Sequence, residues 1–75
     1  MRVRYDKLAD AAYIYLTPQK PGSAVRTYAC DPEAVKGHVH LDFDEDGHLI
    51  GIEVLNASRL LPETALVTPD QGDGA

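Results

Sequence analysis

The chain has 75 residues, with twelve acidic against seven basic side chains, a formal charge of −5 and a single cysteine. A chain this short holds one domain with a marginal core, its acidity repels phosphate backbones and argues against a nucleic-acid partner, and Cys30 alone cannot close an internal disulfide, which points to a reducing, cytoplasmic setting. No stretch approaches the length of a secretory signal or a membrane span, so no membrane association is expected.

Taken in chain order, residues 2–5 (Arg-Val-Arg-Tyr) alternate charged and apolar side chains, and residues 11–16 (Ala-Ala-Tyr-Ile-Tyr-Leu) are rich in strand formers. Residues 17–23 contain Pro18, Pro21, Gly22 and Ser23 and read as a loop. A third strand is predicted over residues 25–30, broken by Asp31-Pro32; a fourth over residues 38–43, which alternate cleanly; and a fifth over residues 49–55. Asn56 is placed to cap a helical turn through Ala57, Ser58 and Arg59, and Pro62 to open another through Glu63 and Leu66. The expectation is an α+β fold over residues 1–67: a small antiparallel β-meander of four or five strands with one or two short helical turns near the C-terminus. Residues 68–75 have nothing to bury and are expected to be a disordered tail.

Residues 42–53 fit two incompatible patterns. As a calcium loop, Asp42, Asp44 and Asp46 would supply alternate carboxylates, Gly47 the turn and Glu53 the closing ligand. That site needs a helix on each side, and residues 37–41 enter with strand periodicity instead, which favours a hairpin. A four-residue connection, Asp44 to Gly47, would pair Phe43 with His48, Leu41 with Ile50 and Val39 with Ile52, building an apolar face; a slip of one residue would bury charge. In that register His38 lies beside Glu53, Asp42 beside Leu49, and Gly51 sits opposite His40 or marks a bulge.

Two blocks in this order, Tyr5-Asp6, Asp10-Ala11, Tyr13 and Ile14, then Asp42, Asp44, Gly47, the run from Gly51 to Leu55, Ala57 and Ser58, resemble a family of short prokaryotic proteins classed as domain of unknown function 2283. The resemblance implies a small β-rich domain and no established activity. The loops at residues 18–23 and 31–36, together with His38 and His40, fall outside the matched pattern.

Several residue groups invite a chemical reading. His38, His40 and Asp42 alternate on one strand face, and with Glu53 across the hairpin they could hold Zn²⁺ or Ni²⁺; the plainer alternative is a solvated face with a His38–Glu53 pair. Asp6 and Asp10 flank three residues at a spacing where carboxylates accept backbone N–H groups and shape a turn. Cys30 lacks an activating environment, and Ser58 lacks a nucleophile-elbow turn. Because residues 11–16 carry apolar groups on alternate sides, Tyr13, Tyr15, Ile14 and Leu16 are the expected interface of a homo-oligomer, most simply a dimer. No catalytic set and no cofactor site is expected. The function read here is a non-catalytic acidic interaction module, antitoxin-like in binding a basic protein partner, with metal binding through His38, His40, Asp42 and Glu53 as the alternative.

Overall fold

A computed structural model describes residues 1–66. The elements are β1 (Arg2–Asp6), β2 (Ala11–Tyr15), β3 (Arg26–Ala29), α1 (Pro32–Val35), β4 (His38–Phe43), β5 (Leu49–Leu55), α2 (Ala57–Leu60) and a 3₁₀ turn, Glu63–Ala65. All five strands join one antiparallel sheet in the order β1-β2-β5-β4-β3. The expected strands are present, together with both helical turns after β5, while the expected tail at residues 68–75 lies outside the described residues.

The strand order corrects the meander. After β2 the chain crosses to the far edge of the sheet, and β5 returns to insert beside β2. Burial explains this placement. β5 contains the buried Ile50, Gly51 and Val54, so it stabilises most when flanked on both sides, whereas every residue of β3 is exposed and suits an edge. A simple meander would have left β5 at the edge.

A third short helix, α1, precedes β4, where the sequence predicts only a break after the third strand. Asp31 accepts the Glu33 N–H at 3.0 Å, Pro32 occupies the first helical position, and Lys36 closes the turn with φ 58°. Aspartate followed by proline breaks a strand, and here it also starts a helix.

The hairpin between β4 and β5 keeps the predicted faces but shifts by two residues along the ladder. Leu41 opposes Ile52, Val39 opposes Val54, His40 opposes Glu53 and Asp42 opposes Gly51. The cause is the turn. Asp44 Oδ1 accepts the N–H groups of Asp46 (3.0 Å) and His48 (2.9 Å), the Asp44 N–H donates to the His48 carbonyl, and Gly47 closes the loop at φ 87°. The connection is therefore three residues long, and an irregularity at Asp42/Phe43, opposite Leu49, absorbs one further residue of β5.

One sheet face carries the core. Ala12, Val54 and Ala57 are buried together, and Val3, Tyr5, Val39, Ile52, Leu60, Leu61 and Leu66 pack against them. The helical segment thus lies across one end of that face, where an added Cβ on Gly37 would meet Leu60 Cδ1 at 2.6 Å. The next row of the same face, Val3–Ile14–Ile52–Leu41–Tyr28, runs across all five strands. The described part of the molecule extends 35 × 32 × 17 Å, so it is broad and thin: one sheet with a partial second layer.

Candidate functional site

Two polar constellations connect distant parts of the chain. The first is built on the β1–β2 turn. Asp6 Oδ1 accepts the N–H groups of Leu8 and Ala9, as the spacing predicted. Asp10 takes a left-handed conformation, φ 53°, and its carboxylate receives the Tyr5 hydroxyl at 2.6 Å, the Ser58 N–H at 3.0 Å and the Ser58 hydroxyl at 2.8 Å. Its carbonyl also accepts the Ala57 N–H at 2.9 Å. These donors hold the Asp10 carboxyl below the usual carboxylate range, Tyr5 contributing most and Ser58 next, and the same bond raises the Tyr5 phenol.

This arrangement corrects the capping expectation. Asn56 precedes α2 but has φ 53°, and its side chain makes no cap bond. The cap comes instead from Asp10, whose backbone and side chain, just before the neighbouring strand β2, satisfy the first two N–H groups of a four-residue helix. Ser58 is therefore part of a structural clasp.

The second constellation lies on the face opposite the core. The Tyr13 hydroxyl donates to Asp42 Oδ2 at 2.7 Å and accepts from Gln19 Nε2 at 3.1 Å, while Thr27 donates to Asp42 Oδ1 at 2.7 Å. Gln19 also bonds the Ile50 carbonyl at 3.0 Å, anchoring the crossing loop. Tyr13 reaches Asp42 by lying across Gly51, where an added Cβ would overlap its Oη and Cζ and approach Gln19 Nε2 to 2.7 Å. Burial and then the Asp42 carboxylate push the Tyr13 phenol up to about 12. Beside it, the Tyr15 ring meets Tyr13 edge-on at 4.7 Å, and Arg2 lies 4.4 Å above Tyr15.

The residues considered for a metal fall on this same outer face. His40, not His38, stands beside Glu53, with Nδ1 2.8 Å from Glu53 Oε1, because of the two-residue shift. His38 opposes Leu55. Asp42 has both oxygens engaged by Tyr13 and Thr27. Among the described residues, the group whose ligand atoms lie within 4.8 Å of one another is Asp44, Asp46 and His48 at the hairpin tip. Asp44 is held below the usual carboxylate range mainly by the His48 backbone N–H, and its Oδ1 is engaged by the turn. Exposed acidic clusters are common without any ion.

The four residues expected at an interface do not share one face of the sheet. Tyr13 and Tyr15 lie on the outer polar face, and Ile14 lies in the apolar row. Leu16, just past β2, donates its N–H to Ile50 at 3.0 Å. The depression over Tyr13 and Tyr15, edged by Arg4, Lys7, Leu8 and Glu53, is open to solvent and offers no enclosed cleft for substrate. Cys30 is half-buried and free, and its N–H bonds Val39.

The fold and these constellations define a small antiparallel sheet domain whose motif residues fasten its parts together. The chain belongs to the family described as Protein of unknown function (DUF2283), which matches residues 2–58. Neither the curated proteins nor the solved structures compared with it contain a match. No helix among the described residues is long and apolar enough to cross a membrane.

Proposed function

We propose that this domain is a non-catalytic interaction module that associates with copies of itself. The observation that supports this most is the apolar row Val3–Ile14–Ile52–Leu41–Tyr28, which continues beyond the part of the face that α2 and residues 61–66 pack against. A core whose buried apolar residues, among those described, are Ala12, Ile50, Val54 and Ala57 gains from covering the exposed end of that row, Tyr28, since apolar area removed from water contributes about 25 cal/mol per Å². Sedimentation equilibrium of the full chain at micromolar concentration tests it. A species of twice the 8.2 kDa chain mass is expected, and a folded 8.2 kDa monomer ends the proposal.

The net charge of −5 supports a finer reading, in which the assembled module binds a basic protein in the cytoplasm, in the manner of an antitoxin. Salt-sensitive co-purification with a basic partner is the expected result. A second reading, Zn²⁺ or Ni²⁺ bound by His38, His40, Asp42 and Glu53, is supported by the placing of all four on one face. Binding there would draw Asp42 away from Tyr13 and Thr27, so a Zn²⁺ titration should be competitive with the folded network; no binding, or binding unchanged in His40→Ala, excludes it.

A further inference from the structure

We infer that two copies of this chain pair along β3, antiparallel about a twofold axis through Tyr28, joining their sheets edge to edge. This rests on the self-association proposed above and says where it occurs. β3 is an edge strand, its residues are exposed throughout, and Thr27, Tyr28 and Ala29 include no charge or proline of the kind that protects edges. Tyr28 is 56% exposed despite standing at the end of the apolar row.

The backbone decides the register. Cys30 donates its N–H to Val39 at 2.9 Å, and inward and outward residues alternate along an antiparallel strand, so Tyr28 also turns toward β4 while Thr27 and Ala29 present their N–H and C=O groups outward. With the axis through Tyr28, Thr27 exchanges bonds with the partner's Ala29, and Ala29 with the partner's Thr27. Tyr28 then meets the partner's Tyr28 in the closer, non-hydrogen-bonded kind of pair, where aromatic side chains touch. The apolar row thereby continues from one sheet into the other.

Charge and chain path exclude the neighbouring registers. An axis through Thr27 sets Arg26 opposite the partner's Tyr28 and interrupts the apolar row with a charge, although Arg26 already lies 4.3 Å over the Phe43 ring. An axis through Ala29 runs the pairing into Asp31 and Pro32, which begin α1. The register through Tyr28 opposes Arg26 to the partner's Cys30, so a strongly acidic chain meets its copy without like charges face to face. The other edge is less suited. On β1, an axis through Val3 opposes Arg2 to the partner's Arg4, one through Arg4 opposes two copies of Arg4, and one through Tyr5 leaves only Arg4 to Asp6 before the turn at Lys7.

The test is sedimentation equilibrium with circular dichroism to confirm folding. Ala29→Pro removes an outward N–H that the isolated subunit does not use, so it should give a folded monomer. Tyr28→Glu and Tyr28→Lys each place like charges across the axis and should weaken association at least tenfold, about the effect of losing one buried aromatic contact. Mixing Tyr28→Glu with Tyr28→Lys should restore a heterodimer, and this arm carries the test if Ala29→Pro fails to fold. A wild-type monomer overturns both this proposal and self-association. A dimer that survives Ala29→Pro and Tyr28→Glu, or variants that do not complement, overturns pairing through β3 and leaves self-association standing.

Discussion

Gly51→Ala isolates the tie between β2 and β4 on the outer face. Gly51 has no positive φ to protect, so an alanine there costs nothing in backbone strain, and replacing glycine within a strand would ordinarily gain roughly 0.5–1 kcal/mol. The added Cβ would instead overlap the Tyr13 phenol and approach Gln19, driving the ring off Asp42. A hydrogen bond to a charged group is worth about 1.5–3 kcal/mol, and Tyr13 is half-buried, which favours the lower end. Further loss comes from Gln19, which would release Ile50 and loosen the crossing loop. The net expectation is a destabilisation of roughly 1–2 kcal/mol, about 4–16 °C in Tm for a domain of this size. Urea unfolding of a double-mutant cycle with Tyr13→Ala is the assay. Once the ring is gone the overlap is gone, so Gly51→Ala in the Tyr13→Ala background should be neutral or stabilising, leaving a coupling of about 2 kcal/mol. If Gly51→Ala costs the same in both backgrounds, the crossing of Tyr13 over Gly51 is not what makes glycine necessary.

Other outcomes follow from the same contacts. Gly47 has φ 87° with open space around a Cβ, so Gly47→Ala should cost roughly 1–2 kcal/mol from backbone strain alone, and Asp46→Asn much less; urea midpoints in the reverse order would refute the turn assignment. Asp10→Ala removes the acceptor for Tyr5 and Ser58 and strains a left-handed position, whereas Asp10→Asn keeps Oδ1 and tolerates that backbone, so stability should fall in the order wild type, Asp10→Asn, Asp10→Ala. Calorimetry with millimolar Ca²⁺ should show no micromolar binding to residues 42–53, and tight binding lost in Glu53→Gln would contradict the hairpin reading. Because the folded state raises the Tyr13 phenol from 10.0 to about 12, it binds that proton more tightly than the unfolded chain; the stabilisation is complete below about pH 10 and is lost as pH rises toward 12. Alkaline unfolding should therefore shift less in Tyr13→Phe, and an unchanged profile would argue against the Tyr13–Asp42 hydrogen bond.

The strands were legible because their signals are local. Alternation in residues 38–43 and 49–55 marked β4 and β5 to the residue, and the demand that charge stay off the apolar face set which side each residue occupies. Periodicity of two cannot separate registers differing by two residues, so the ladder depended on how Asp44 closes the turn. Strand order is a long-range property with no local signal, and the burial of Ile50, Gly51 and Val54 that suits β5 to the centre is visible only in the fold. The Asp10 cap joins residues 48 positions apart and left no local trace, while Asn56 offered a familiar cap that the backbone does not use. α1 did leave a trace in Asp31-Pro32, which suits an N-cap and first helical residue as well as a strand break.

Most of the residues that carry the family resemblance hold the frame together. Tyr5, Asp10 and Ser58 fasten the first turn to α2; Ala57 is fully buried beneath it; Tyr13, Gly51 and Asp42 tie three strands together; Asp44 and Gly47 shape the hairpin. Each of these interactions is satisfied within one subunit, so in this chain these residues build a platform and leave its use to other positions. β3 contains none of the pattern's residues, stands at the edge, and carries Tyr28 outward at the end of a row that the frame itself aligns. For this chain, substitutions at Tyr28 and Ala29 should alter association with little effect on subunit stability, whereas substitutions at Asp10 or Gly51 should do the reverse.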